Sequence, residues 1–387
     1  MQHTDLASYV YKCREDLHKI PEGGFEEFKT SKYIKDKLTE LNLTFESVVG
    51  TGVLAYIKGQ NPERTLAFRT DIDGLSVTEE SSYLCHSEHK GYMHACGHDG
   101  HMSMMLGFAK WLSESPEKIL DNILLIFQPA EEGPGGAEHI VKQGYLKKYG
   151  VDEIYGIHLY PVVEQGKYGL ANGPMMAMTG EIDIDIKAKS AHGAQPHQGI
   201  DAIVIASQLM SSMQSIVSRN ISPIDPCVLT IGKMEAGERR NVIAGSARLE
   251  GTIRAFDSAV YEQIKFRINE LLKGFEVSYG VRCEVEIRDL YPPVVNNSRL
   301  FEQFIEINGE DNCTLLEPQM ISEDFSYYQE AVPGLFYFVG TYNESLEHVY
   351  PLHNSKFNFD DKVLLSGIES YVNIIEYYNG KRLSKAR

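Results

Sequence analysis

The apolar positions of the first 175 or so residues change period repeatedly. Residues 6–19 and 25–41 space them as amphipathic helices do, whereas 52–58 and 65–69 read as strands. The alternation continues with a helical pattern at 101–112, a buried strand at 122–127, a helix at 137–143 and a short strand at 154–158. Strands alternating with helices predict an α/β unit with a largely parallel, mixed sheet and flanking helices. In such sheets, sites gather where strands end and loops begin.

Near residue 179 the pattern changes. Glu181, Asp183 and Asp185 alternate with Ile182, Ile184 and Ile186, as in a sheet with one face in water. Ile203, Ala206, Leu209, Met210, Met213, Ile216 and Val217 then recur at helical spacing. Strands at 228–234 and 247–256 follow, then a second helical stripe through Val260, Ile264, Ile268, Leu272 and Phe275. Val281, Cys283, Val285 and Ile287 alternate again. The order β-α-β-β-α-β is the ferredoxin-like α+β pattern. It predicts a domain at 179–293 inserted into a catalytic domain made of 1–178 and 294–387. A strand at 335–340 and a last helix at 360–378 belong to the second catalytic segment.

Length and charge narrow the picture. The 387 residues fit two or three domains at roughly 150 residues each. With 37 Lys+Arg against 54 Asp+Glu the net charge is −17, and there is no long basic run. That speaks against nucleic acid and against anionic membrane surfaces. No apolar run has the length of a membrane span. The chain opens without a basic segment followed by an apolar one, and its six cysteines form no CxxC pair. The expectation is a cytoplasmic protein with free thiols.

Candidate chemistry is concentrated in a few segments. His94-Ala95-Cys96-Gly97-His98-Asp99-Gly100-His101 packs three histidines, a cysteine and an aspartate together. Cys96 and His98 are two apart, so both can face one way in an extended loop. Thiolate and imidazole suit zinc and related ions. Glu131 and Glu132 follow the apolar strand at 122–127, within a Pro- and Gly-rich turn. Adjacent residues at a strand end diverge, so one carboxylate can hold a metal while its neighbour faces a reacting water. Asp71 and Asp73 follow another strand, His158 ends a third, and His353 precedes the last helix. Cys96 as a nucleophile with His98 as base is a second reading of the same residues, and a binding protein without turnover is a third.

Several segments carry a resemblance to a known family. They are Arg14-Glu15-Asp16-Leu17-His18-Lys19-Ile20-Pro21-Glu22, Arg69-Thr70-Asp71-Ile72-Asp73-Gly74-Leu75, residues 93–101, residues 128–133, Ser322-Glu323-Asp324-Phe325 and Leu352-His353. In this order they resemble the M20 metallopeptidase family, in the amidohydrolase branch with hippurate hydrolase and N-acyl-L-amino acid amidohydrolase. The resemblance implies a dimetal hydrolase whose insert acts as a lid and dimerisation domain, in a homodimer. It implies Cys96, His98, Glu132, His158 and His353 as ligands of two divalent ions drawn from Zn, Mn, Co and Ni. Glu131 is then the general base, and Asp73 supports the centre from behind. In the peptidase branches a histidine ligand stands where this chain has Asp71, whose role stays open.

In the insert, His192 resembles the histidine that reaches the substrate carbonyl, and Asn241 and Arg254 match positions near the substrate. The family usually has Gly-Gly before that histidine and Ala-Ala after it, where this chain has Ser190-Ala191 and Gly193-Ala194. The implied substrate is a small N-acyl amino acid, N-acetyl in the leading case. Residues 131–137 and 217–223 resemble the bacterial N-acetyldiaminopimelate deacetylases, and a dipeptide is another candidate substrate.

Overall fold

The structure is a computed structural model that describes residues 3–133 and 135–385; Pro134, part of the turn singled out above, lies outside them. The chain begins with α1 (His3–His18), α2 (Phe28–Glu40), β1 (Phe45–Val48), β2 (Gly52–Ile57) and β3 (Thr65–Asp71). After a long loop come α3 (His98–Glu114), β4 (Asn122–Gln128), α4 (Gly136–Lys142), α5 (Tyr145–Lys148) and β5 (Glu153–Glu164). Then follow β6 (Tyr168–Leu170), β7 (Gly173–Met176), β8 (Met178–Lys187), β9 (Ala191–His192), α6 (Ala202–Ser215), β10 (Cys227–Ala236), β11 (Val242–Ile243) and β12 (Ser246–Ala255). The rest is α7 (Ser258–Tyr279), β13 (Arg282–Asp289), β14 (Val294–Asn296), α8 (Ser298–Asn308), β15 (Cys313–Leu315), α9 (Ser326–Ala331), β16 (Gly334–Tyr342) and α10 (Val363–Lys385).

Contacts divide the chain into two compact units. The first comprises Met1–Met175, Val295–Glu317 and Asp324–Arg387. Its sheet has the order β1-β2-β4-β3-β5-β16-β6-β15. The pairs β4/β3, β3/β5 and β5/β16 at its centre are parallel, and β1/β2, β2/β4 and β16/β6 are antiparallel. This is the mixed α/β sheet expected from the alternation. Every residue of β3 is buried, the apolar Leu66, Ala67 and Phe68 as well as the polar Arg69, Thr70 and Asp71 at its carboxyl end. Helix α3 is buried almost throughout because α1 and α10 pack on it. At Gly107 a Cβ would come within 2.5 Å of Ile368 and 2.6 Å of Val10, so only glycine permits this close packing.

The second unit comprises Met176–Val294 and Pro318–Glu323. Its antiparallel sheet has the order β10-β12-β8-β13. Read in chain order, that is the ferredoxin-like arrangement. Ile182, Ile184 and Ile186 are fully buried against α6 and α7, with Leu209, Met213, Ile264 and Ile268. Asp201 and Asp257 cap these helices by accepting from Ile203 N and Ala259 N.

Three sequence expectations shift. The helix expected at 25–41 begins at Phe28, because Phe25 has φ 62 and the chain there is still in a turn. The strand expected at 154–158 runs from Glu153 to Glu164, since its second half pairs with β16 beyond the apolar run. Ile203 is exposed, and Ala202, Ile205, Ala206, Leu209 and Met213 form the buried face of α6.

Candidate metal centre

The centre grows from the carboxyl ends of the parallel strands of the first unit. The loop after β3 supplies Asp73 and Cys96, and the loop after β4 supplies Glu131 and Glu132. His158 lies within β5, and His353 in the segment between β16 and α10. Gly97 has φ 87, a conformation that favours glycine, and lets α3 begin at His98. Cys96 and His98 therefore straddle a helix start instead of lying side by side in an extended loop. His353 has φ 64, and its backbone N–H donates to Ala95 O at 2.9 Å, which ties it to the Cys96 loop.

Candidate donor atoms cluster in four places among the described residues, two of them formed by Asp71, His98, His101 and His158 and by Glu131, Glu323 and Asp324. The other two share a carboxylate. Cys96, Glu132 and His353 have donor atoms within 4.8 Å of one another, and so do His98, Glu131 and Glu132. Glu132 belongs to both. Its Oε1 lies 3.2 Å from His353 Nε2 and 3.8 Å from His98 Nε2. Neither approach has hydrogen-bond geometry, and both Glu132 Oε1 and His98 Nε2 are buried without a hydrogen bond. Buried polar atoms are nearly always satisfied, so donors that face one another in this way fit a cation. Cys96 Sγ also lies 3.3 Å from His158 Nε2.

The surrounding hydrogen bonds fix each imidazole for this task. A carbonyl oxygen only accepts, so His98 Nδ1–H donates to Asp73 O at 2.9 Å and His158 Nδ1–H donates to Leu159 O at 2.7 Å. With Nδ1 committed, Nε2 is the atom each ring would offer to a metal. Asp73 Oδ2 accepts Glu132 N–H at 2.9 Å, so one residue orients two ligands. His101 is different: its Nε2 accepts Leu159 N–H at 2.9 Å and its Nδ1–H donates to Asp71 Oδ1 at 2.7 Å.

The local charge is strongly negative. Burial alone would lower His98, but Asp71, Asp73 and Glu132 outweigh it and hold the ring up to about 10. Burial, then Glu132 and Glu131, push the Cys96 thiol well above its ordinary value. A thiol nucleophile needs the opposite environment. Bound cations would balance the carboxylates and favour the thiolate, so the donor set fits a metal and weakens the nucleophile reading.

Some of the functional architecture escaped the sequence reading. Arg69, wholly buried, donates to Gln128 Oε1 at 2.8 Å, Asp71 Oδ2 at 2.9 Å and Asp324 Oδ1 at 2.8 Å. Asp324 also accepts from Gln128 Nε2 and from Ala137 N. A polar pair at i and i+2 in the apolar strand β3 was the available signal. A second network joins α1 to α3. His18 Nδ1 lies 2.8 Å from Asp99 Oδ2, and Arg14, held between the rings of Tyr83 and Phe359, bonds Asp99 and Asp361. Arg14 and His18 share a helix face at i and i+4.

His192, Asn241 and Arg254 belong to the second unit. There Val242 pairs with His192, and Gly193 N–H donates to Asn241 O at 2.8 Å. A Cβ at Gly193 would meet that carbonyl oxygen at 2.9 Å, so the glycine after His192 is required by close approach. His192 Nδ1 accepts Ala194 N–H at 3.1 Å, which puts the proton of the neutral ring on Nε2. Arg254, half-buried on β12, bonds Thr252 Oγ1 and the carbonyl of Ile253.

The chain is similar to several known proteins. The model of peptidase family M20/M25/M40 matches residues 67–377. An N-acetyldiaminopimelate deacetylase of Exiguobacterium sibiricum is 38% identical over 376 residues, covering 96% of this chain and 98% of the relative. The solved structure of a proposed aminohydrolase from methicillin-resistant Staphylococcus aureus superposes with TM-score 0.91 at 34% identity, over 97% of both chains. The YXEP protein of Bacillus subtilis, a dinuclear metal-binding peptidase of the M20 family, superposes with TM-score 0.84 at 29% identity, over 96% of this chain and 98% of that one. The chain belongs to peptidase family M20/M25/M40.

Proposed function

We propose that this protein is a metal-dependent amidohydrolase that removes the acyl group of N-acyl amino acids, with N-acetyldiaminopimelate as its substrate. The observation that carries the reading is Glu132, a carboxylate common to two ligand groups, with Glu131 beside it. Cys96, His98, Glu132, His158 and His353 would hold two divalent ions of the Zn, Mn, Co or Ni type. When bound, such ions lower the pKa of water and polarise the scissile carbonyl.

The chain's own residues do the rest. Glu131 takes the proton of the attacking water and delivers it to the leaving amine. Asp73 keeps His98 and Glu132 in place. His192 donates from Nε2 to the developing oxyanion, a role supported by its tautomer. Arg254 and Asn241 supply a cationic or amide group for the substrate's α-carboxylate. A homodimer and a cytoplasmic location complete the proposal; among the described residues, no helix is long and apolar enough to cross a membrane.

The choice of diaminopimelate rests on the deacetylase relative and on the sequence of the loop after β4. It is tested by comparing kcat/KM for N-acetyldiaminopimelate, N-acetylmethionine, hippurate and a dipeptide on metal-loaded enzyme. N-acetyldiaminopimelate is expected to lead. A faster dipeptide overturns the deacetylase assignment, and a faster hippurate or N-acetylmethionine overturns the diaminopimelate preference.

A further inference from the structure

Glu27 is a wholly buried carboxylate that none of the proposed chemistry uses. It stands at the entry of α2, where a side chain would ordinarily cap the helix. Here Glu22 does the capping, accepting from Lys29 N at 2.9 Å and Thr30 N at 3.0 Å. Glu27 turns inward instead. Its Oε1 accepts Ala130 N–H at 2.8 Å and its Oε2 accepts the Thr51 hydroxyl at 2.5 Å.

Ala130 immediately precedes Glu131 and has φ 56, in the left-handed region that a residue with a Cβ rarely adopts. Its carbonyl accepts from Gly135 N and Gly136 N at 3.0 and 3.1 Å. A Cβ at Gly136 would lie 1.8 Å from Pro129 O, and one at Gly52 would lie 2.9 Å from Pro129 Cδ. The backbone before Glu131 is thus gripped from several sides. Among the described residues, the Glu27 carboxylate is the side-chain acceptor on the Ala130 N–H. Burial pushes Glu27 up to about 7 against the pull of its donors, so the carboxyl is kept there at a cost that helix capping does not explain.

We propose that Glu27 is a positioning residue for Glu131, holding through Ala130 N–H the left-handed turn that aims the neighbouring carboxylate. The inference rests on Glu131 being the general base. Glu27 touches no reacting atom, so its removal changes how often Glu131 is correctly placed and leaves substrate binding alone.

The test measures kcat, KM, metal content and Tm of the metal-loaded full chain with N-acetyldiaminopimelate and N-acetylmethionine. Glu27→Ala is expected to lower kcat about 10- to 100-fold, the scale of a misplacement of about 1 Å, while KM and metal content stay unchanged. Glu27→Gln, which retains an acceptor for Ala130 N–H, should restore most of the rate. In a Glu131→Gln background, Glu27→Ala should add little. A full rate in folded Glu27→Ala, with Glu131→Gln slow, overturns the positioning role and leaves the base assignment standing. A full rate in Glu131→Gln overturns both. An undiminished effect of Glu27→Ala in the Glu131→Gln background, or lost metal, also overturns the positioning role. Should Glu27→Ala fail to fold, Thr51→Val removes one donor to the same carboxylate. A fall in kcat at constant KM then supports the proposal, and an unchanged kcat contradicts it.

Discussion

Arg69 and Arg248 each collect acidic partners, but in opposite surroundings. Arg248 lies on the wet face of the second unit's sheet and bonds Asp183, Asp185 and Glu250 at 2.7–2.9 Å. Arg288 extends the ladder to Glu181, Asp183 and Glu286. Both arginines remain more than a third exposed, and exposed pairs of this kind contribute little. Arg69 sits between Asp71 and Asp324 with all three side chains wholly buried. Removing it would take the arginine counter-charge from two buried carboxylates, although Asp71 keeps His101 and Asp324 keeps Gln128 and Ala137 as partners. Density of charge is similar in the two places; burial separates a solubilising surface from the support of a reactive centre.

The sharpest break in that comparison comes from the centre itself. Glu131→Gln is expected to lower kcat by about 10²–10⁴-fold, the usual scale of general acid-base catalysis, with metal content unchanged. Steady-state kinetics beside elemental analysis checks it. Next in size, Arg69→Ala should cost about 3–5 kcal/mol in urea unfolding, as expected for a broken buried pair. The matched variant Arg248→Ala should leave the unfolding midpoint unchanged, and equal losses in the two would dissolve the contrast. Asp73→Ala, which removes the carboxylate behind Glu132 N–H, should weaken metal affinity about 10- to 100-fold in a competition titration.

A smaller effect should appear in the pH dependence. His18 is lowered by burial but raised more by Asp99 and Glu79, to about 9. A folded pKa above the unfolded one stabilises the protein below about 6.5, and that contribution is lost as pH rises through about 9. The Tm gap between the parent and His18→Gln should therefore be widest at pH 6 and narrow towards pH 10. A gap that widens with pH would contradict the charged pair.

Much of this architecture was legible in the chain. Strict alternation at Ile182, Ile184 and Ile186 is that of a strand with one buried face, and the structure buries all three. Cys96, His98, Glu131 and Glu132 stood out because ligand-type residues clustered at strand ends, and the structure brings them together. What escaped was long-range. Glu27 is 103 residues from Ala130, and Asp324 is 255 residues from Arg69. Such pairings leave no local period, because the fold alone makes them neighbours. The shifted helix starts have another cause: positive φ at Phe25 and Gly97 sets the local chain direction, which hydrophobic spacing does not encode.

Glu132 would contribute to holding both divalent ions. That role is tested most directly by elemental analysis of reconstituted, dialysed protein, parent beside Glu132→Ala. Two ions per chain are expected in the parent and neither in the variant. Two ions retained by Glu132→Ala would contradict it.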